Sequence, residues 1–255
     1  MNLRYEQFAS GDSGVIVLLH SLAMDASIWR EFAGLLPADT TVLAPDLPGH
    51  GVQPEGDPSS VESMADGVAE WMTSIGSGPV TLIGMSLGGS VAQALTIRHP
   101  DLVGRLGLVD TTAWYGPGAS AAWASRATQA REKGLDSLAG FQLDRWFTDE
   151  FRQQRPEQGE ALLKIFRRNR LENYVASCTA LGAMDLRDGL GKIAIPTAVV
   201  VGELDSATPP SHARELAGAI SGAQLTVLPA CKHLSAVERP ASVIAALAPI
   251  LDQPT

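Results

Sequence analysis

Between Val80 and Gly89 the chain reads Val-Thr-Leu-Ile-Gly-Met-Ser-Leu-Gly-Gly, and this stretch restricts the fold more tightly than any other. A short β-branched and aliphatic run, Val80 to Ile83, stops at Gly84. An apolar pattern with helical spacing starts after Ser86 and passes through Val91, Ala94 and Leu95 to about Arg98. The stretch therefore predicts strand, sharp turn, helix. Gly84-Met85-Ser86-Leu87-Gly88 fits the G-x-S-x-G nucleophile elbow, in which the serine occupies a strained turn and the glycines leave room where strand and helix crowd together. Ser86 is expected at the N-terminus of the helix, where backbone N–H groups and the helix dipole favour negative charge on a bound carbonyl oxygen. The alternative at this point is a Gly-rich turn of an ordinary doubly wound sheet.

The flanking sequence alternates strand and helix. Tyr5 to Ala9 reads as an edge strand, Val15 to Leu19 as a strand buried on both faces, and Ser27 to Leu36 as an amphipathic helix stopped by Pro37. Thr41 to Ala44 is the next strand. Asp57 is expected to cap a helix with Pro58 at its first position and Val61, Met64, Val68 and Trp71 as its buried stripe. Leu106 to Val109 follows the elbow as a strand ending at Asp110. This rhythm implies parallel strands with right-handed crossovers and a site at their carboxyl ends. In an acyl-transfer enzyme the loop after the Val15–Leu19 strand supplies an oxyanion N–H. Here that donor is the backbone of Leu22, paired with the backbone of Leu87. His20, in the same loop, reads as a structural residue bound to a loop carbonyl.

From 114 to 185 the strand rhythm stops. Helices are expected over Ala119 to Lys133, Leu135 to Trp146, Pro156 to Asn169 and Leu171 to Met184. The expected division is residues 1–113 and 186–255 as one α/β core, with 114–185 as a helical lid over the site. That block holds ten Lys and Arg against nine Asp and Glu, while the whole chain carries −9. Most of the basic residues, including Arg167-Arg168-Asn169-Arg170, read as coating a solvated face. Trp114, Trp123, Trp146 and Phe147 are divided between lid core and pocket wall.

Composition narrows the partners. With 45% apolar residues the chain can bury a large core, and its acidic balance argues against nucleic acid. Met1 to Tyr5 offers no signal-like apolar core, and no eighteen apolar residues run uninterrupted, so a cytoplasmic protein without membrane association is expected. Cys178 and Cys231 are too few and too isolated for a disulfide framework or a zinc site.

Beyond the lid, Thr197 to Val201 is a strand followed by Gly202-Glu203-Leu204-Asp205. A helix from about Pro210 to Ile220, a strand from Gln224 to Leu228, and the loop Pro229-Ala230-Cys231-Lys232-His233 come next. A closing helix then runs from Pro240 to Leu251. A serine nucleophile needs a base to take its proton and a carboxylate to orient that base. The order Ser86, Asp205, His233 supplies both after late strands, with Asp110 as a rival acid. Such chemistry calls for no metal or organic cofactor.

Assembled in this way, the chain resembles the α/β-hydrolase superfamily over nearly its whole length, and more narrowly the 3-oxoadipate enol-lactonases. The narrower likeness rests on Gly84-Met85-Ser86-Leu87-Gly88-Gly89, Trp123-Ala124-Ser125-Arg126, Gly134-Leu135, Arg145-Trp146-Phe147-Thr148, Tyr174-Val175-Ala176-Ser177-Cys178 and Asp205-Ser206-Ala207-Thr208-Pro209-Pro210. It departs from them at Leu19-His20-Ser21-Leu22-Ala23 and Asp110-Thr111-Thr112-Ala113. The resemblance implies an α/β-hydrolase fold: a mostly parallel central sheet, helices on both faces and an inserted helical lid. It also implies a hydrolase of a small lactone or ester acting through an acyl-enzyme. Arg126 is the matching candidate to hold a substrate carboxylate, with Trp123 and Trp146 beside it; Arg126 reads equally well as a surface arginine. A general carboxylesterase, a C–C bond hydrolase, a perhydrolase and a slow-turnover ligand receptor all remain compatible with the same residues.

Overall fold

The computed structural model describes residues 2–51 and 56–251. Seven strands form one sheet: β1 (Tyr5–Ala9), β2 (Val15–Leu19), β3 (Thr41–Pro45), β4 (Val80–Met85), β5 (Val103–Val109), β6 (Thr197–Gly202) and β7 (Gln224–Leu228). Their order is β1-β3-β2-β4-β5-β6-β7. Only β1 pairs antiparallel, with β3; every other pair is parallel. The central strand β4 is buried at all six residues, which its continuous aliphatic sequence requires of a strand covered on both faces. The edge strand β1 mixes polar and apolar residues and is partly exposed.

Helices cover both faces. Those of the first half are α1 (Arg30–Ala33), α2 (Val61–Ser74) and α3 (Leu87–Arg98). The residues between β5 and β6 contain α4 (Ala119–Lys133), α5 (Asp136–Trp146), α6 (Asp149–Gln154), α7 (Pro156–Arg167), α8 (Leu171–Ala183) and α9 (Arg187–Leu190). The chain closes with α10 (Pro210–Ala219), α11 (Ser235–Glu238) and α12 (Pro240–Leu251). A single antiparallel bridge between Trp114 and Asp185 joins the two ends of the α4–α8 insert.

Two local expectations are corrected. Residues 27–36 do not make one amphipathic helix. A 3₁₀ turn over Ala26–Trp29, capped by Asp25, leads into the one-turn α1, because Trp29 and Phe32 stack edge-on and fix a tighter path. Helix α2 begins later than Asp57 and Pro58 suggest. Its N-cap is Ser60, whose side chain accepts from the Ser63 N–H while the Ser63 hydroxyl accepts from the Ser60 N–H, a reciprocal capping box. Asp57 is engaged instead by the Ser59 N–H and hydroxyl in a turn of its own.

Candidate active site

The turn from β4 into α3 places Ser86 at φ +57° and ψ −118°, a conformation held by its N–H bonding to the Val109 carbonyl at 2.9 Å. The two flanking glycines are there for contact distance. A Cβ on Gly84 would lie 2.2 Å from the Gly88 carbonyl oxygen, and one on Gly88 would lie 2.2 Å from that of Leu19. Only bare backbone lets α3 start this close to β2 and β4, and that closeness lifts the Ser86 hydroxyl to the sheet edge.

Three side chains meet there in series. The Ser86 hydroxyl lies 2.9 Å from His233 Nε2, and His233 Nδ1 lies 2.8 Å from Asp205 Oδ2. Facing a carboxylate, Nδ1 carries the proton, which leaves Nε2 free to accept from Ser86. Asp205 is itself fixed: Oδ1 accepts from the N–H groups of Ala207 and Thr208, and Oδ2 from the Thr208 hydroxyl. Burial pushes its carboxyl upward, but the facing His233 and the Thr208 bonds outweigh burial and hold it below the usual carboxylate value. The rival Asp110 points elsewhere. Its two oxygens accept from the Gly202 and Ser235 N–H groups, and burial together with the nearby Asp205 charge raises its pKa well above the ordinary value. Asp110 thus ties the ends of β5 and β6 to the loop behind His233.

Leu22 lies in the turn after β2, and Leu87 is the first residue of α3, whose N–H has no acceptor within its own helix. The Ser21 hydroxyl links the two segments by donating to the Met85 carbonyl at 3.4 Å. His20 supports the loop from beneath: Nδ1 bonds the Ser21 carbonyl and Nε2 accepts from the Leu47 N–H. Burial drives its pKa down to about 4, so the ring is neutral at physiological pH.

Ser86 and His233 open into a narrow cavity of about 30 Å³, also lined by Ser21, Leu22, Tyr115, Trp123, Arg126, Gln142, Arg145, Trp146 and Ala207. That volume holds about one water. Tyr115, Trp123, Arg126 and Arg145 also line a wider outer depression of about 350 Å³. A molecule larger than water therefore reaches Ser86 by shifting this wall or by extending through it. Arg126, Trp123 and Trp146, all marked in the sequence, thus share the cavity with Ser86. Trp114 does not; the Arg187 guanidinium stacks on its ring 3.7 Å from the centroid, and Phe147 is fully buried.

Gln142, Arg145 and Tyr115 are additions that sequence reasoning left out. Gln142 and Arg145 stand three residues apart on α5, with Trp146 four residues beyond Gln142, so helical spacing around Trp146 carried that signal. Tyr115 follows β5 in irregular chain, where no periodicity marks it. Arg126 donates from Nε to the Tyr174 hydroxyl at 2.6 Å and stacks on Trp123, while Arg145 lies over Phe141. Neither arginine has a carboxylate partner among the described residues. Burial, and then the adjacent Arg126 charge, lower the pKa of Arg145. Gln142 is 2% exposed, and its Oε1 has no hydrogen-bond partner among the described residues.

The cysteines take no visible part. Burial pushes the Cys178 thiol up to about 11, and burial with the Asp110 and Glu238 charges raises Cys231 further. Among the described residues no cluster of His, Cys, Asp or Glu is arranged to hold a metal ion, and no helix is long and apolar enough to cross a membrane.

A seven-stranded, mostly parallel sheet with a serine at the β4–α3 elbow defines a class, and the model of the alpha/beta hydrolase family matches residues 16–247. The chain belongs to that family and is a hydrolase. Among its relatives, a 3-oxoadipate enol-lactonase of Acinetobacter baylyi is 30% identical over 93% of this chain and 88% of that protein. The solved enol-lactonase of Burkholderia xenovorans superposes with a TM-score of 0.89 at 33% identity, covering 96% of each chain. A pimeloyl-[acyl-carrier protein] methyl ester esterase of Chromobacterium violaceum is 28% identical over 99% of both.

Proposed function

We propose that this protein is a serine hydrolase of a small lactone or carboxylic ester bearing a carboxylate, of the 3-oxoadipate enol-lactone type. The observation that carries the reading is one cavity lined both by Ser86 and His233, the latter backed by Asp205, and by two arginines without carboxylate partners among the described residues. In this mechanism Nε2 of His233 takes the Ser86 proton as Oγ attacks the carbonyl carbon. The N–H groups of Leu22 and Leu87 receive the developing oxyanion. Collapse opens the ring, and His233 returns the proton to the leaving oxygen, which in a lactone stays attached to the acyl chain. Water activated by His233 then releases the acid. Residues 114–185 act as the lid and supply the pocket wall, while 1–113 and 186–255 form the core.

Two cations held together in a half-buried pocket repel one another, and a substrate carboxylate relieves that repulsion through charge-assisted, bidentate bonds. The test compares ring opening of 3-oxoadipate enol-lactone with hydrolysis of p-nitrophenyl acetate in wild type, Arg126→Ala and Arg145→Ala. Each substitution should raise KM for the lactone by about ten- to a hundredfold, the worth of a hydrogen bond to a charged group, while leaving the neutral ester within about threefold. Equal losses on both substrates, or none, would remove the carboxylate anchor. Slow lactone turnover beside brisk ester hydrolysis would move the assignment to a general esterase, toward which the methyl ester esterase likeness points.

A further inference from the structure

The turn carrying Leu22 is closed by the Met24 N–H donating to the Ser21 carbonyl at 3.1 Å, and it is braced from outside as well. The next residue, Ala23, sits at φ +59°, a left-handed conformation that an alanine adopts only when its surroundings impose it. Asp25, two residues on, is 1% exposed. Both are held by one corner of the insert, the two residues after α7. The Asn169 side chain donates from Nδ2 to the Ala23 carbonyl at 2.8 Å, and the Arg168 guanidinium contacts the Asp25 carboxylate. The same Asn169 amide also lies 3.0 and 3.1 Å from the carbonyls of Ile165 and Phe166, so the corner is anchored to the end of α7. Arg167, Arg168 and Arg170 are exposed, as expected of a solvated face, yet Arg168 and the half-buried Asn169 also bond the loop after β2.

We infer that Asn169, supported by Arg168, is a positioning residue for the oxyanion donor: the insert holds Ala23 in its strained conformation and thereby aims the Leu22 N–H at the carbonyl attacked by Ser86. The inference rests on the serine-hydrolase reading above. The Ala23 carbonyl shares a peptide unit with the Met24 N–H, which donates to the Ser21 carbonyl at 3.1 Å, and that carbonyl shares its own peptide unit with the Leu22 N–H, so releasing the Ala23 carbonyl loosens the turn bond that orients the donor. Donors aimed at developing charge lose most of their effect when they are displaced by a fraction of an ångström. The insert thus has a second task besides walling the pocket. It braces the Leu22 turn through a contact to the Ala23 backbone, whose residue does not line the cavity.

The test uses Asn169→Ala and Asn169→Ser, the latter keeping a short hydroxyl near the α7 carbonyls but out of reach of Ala23. Asn173→Ala is the control, because Asn173 also crosses from insert to core yet bonds the Gly49 carbonyl instead. Steady-state hydrolysis of p-nitrophenyl acetate is measured with and without phenylboronic acid, which forms a tetrahedral adduct on a reactive serine. Both Asn169 variants should lose kcat by about tenfold or more with KM within about twofold, and the boronate inhibition constant should rise in parallel. Asn173→Ala should keep the wild-type kcat and inhibition constant. Unchanged kcat and boronate affinity in the Asn169 variants, or an equal loss in Asn173→Ala, would overturn the inference while leaving the serine reading intact. Failure of the boronate to inhibit wild type, with undiminished turnover in Ser86→Ala, would overturn both.

Discussion

Two histidines buried away from the Ser86–His233–Asp205 series make the stability of this fold sensitive to acid. His20 and His50 are fully buried, 5.4 Å apart between ring centroids, and burial lowers their pKa values from 6.5 to about 4 and about 3; for His50 the neighbouring His20 adds to the effect. Protonating His20 would turn Nε2 from an acceptor into a donor facing the Leu47 N–H. Because the folded pKa lies below the unfolded one, the unfolded chain binds more protons between pH 6.5 and 4. Stability is therefore complete above about pH 6.5 and falls as pH drops toward 4. For His20 alone the loss reaches roughly 3 kcal/mol at 1.36 kcal/mol per unit. Urea denaturation at pH 7.5, 6 and 5 should show a falling midpoint, and His20→Gln should flatten the dependence; a midpoint constant over that range would contradict the neutral, buried assignment.

The passage from β4 into α3 shows what the sequence discloses most readily at the scale of an element. Its glycines, apolar strand and helical period all state the same geometry, so the elbow and the strands around it were legible. The spacing of Asp205 and His233 after late strands was legible for a similar reason, since a strand end fixes where a side chain can stand. Helix entry points were less so: Asp57-Pro58 carries a stronger local signal than Ser60, yet the Ser60–Ser63 capping box wins because it satisfies two backbone donors at once. Short helices such as α6, α9 and α11 have too few residues to show a period. Gln142 and Arg145 were passed over because polar residues on a helix of the insert look solvated until the packing partner is known, although their spacing with Trp146 puts the three on one side of α5. Gly88 provides the test of the elbow. Gly88→Ala would press a methyl group into the Leu19 carbonyl, and a loss of about 3 kcal/mol or more is expected. A thermal melt within about 2 °C of wild type would show that α3 approaches β2 less closely than described.

Over the whole molecule, core and insert divide the work unequally. The sheet edge supplies Ser86, His233 and Asp205; the insert supplies Trp123, Arg126, Gln142, Arg145 and Trp146 and bonds the turn after β2 through Asn169. The insert is tied down on both flanks. Arg168 and Asn169 bind the loop after β2, while on the far side the Thr148 N–H and hydroxyl donate to Glu238 and Lys232 Nζ donates to the Asp144 carbonyl. In the proposed reading the chemistry belongs to the sheet edge and the choice of substrate to the insert, so the elbow marks a hydrolase while the carboxylate anchor rests on residues of the insert. Ser86 carries the acyl group during turnover in the proposed mechanism. Acid quenching of wild-type enzyme during steady-state hydrolysis of p-nitrophenyl acetate, followed by intact mass and peptide mapping, tests it directly. One acetyl group on the peptide containing Ser86, absent from Ser86→Ala together with turnover reduced about 10⁴-fold or more, is the predicted result. Sustained turnover in Ser86→Ala, or an acyl group carried elsewhere, would contradict the account.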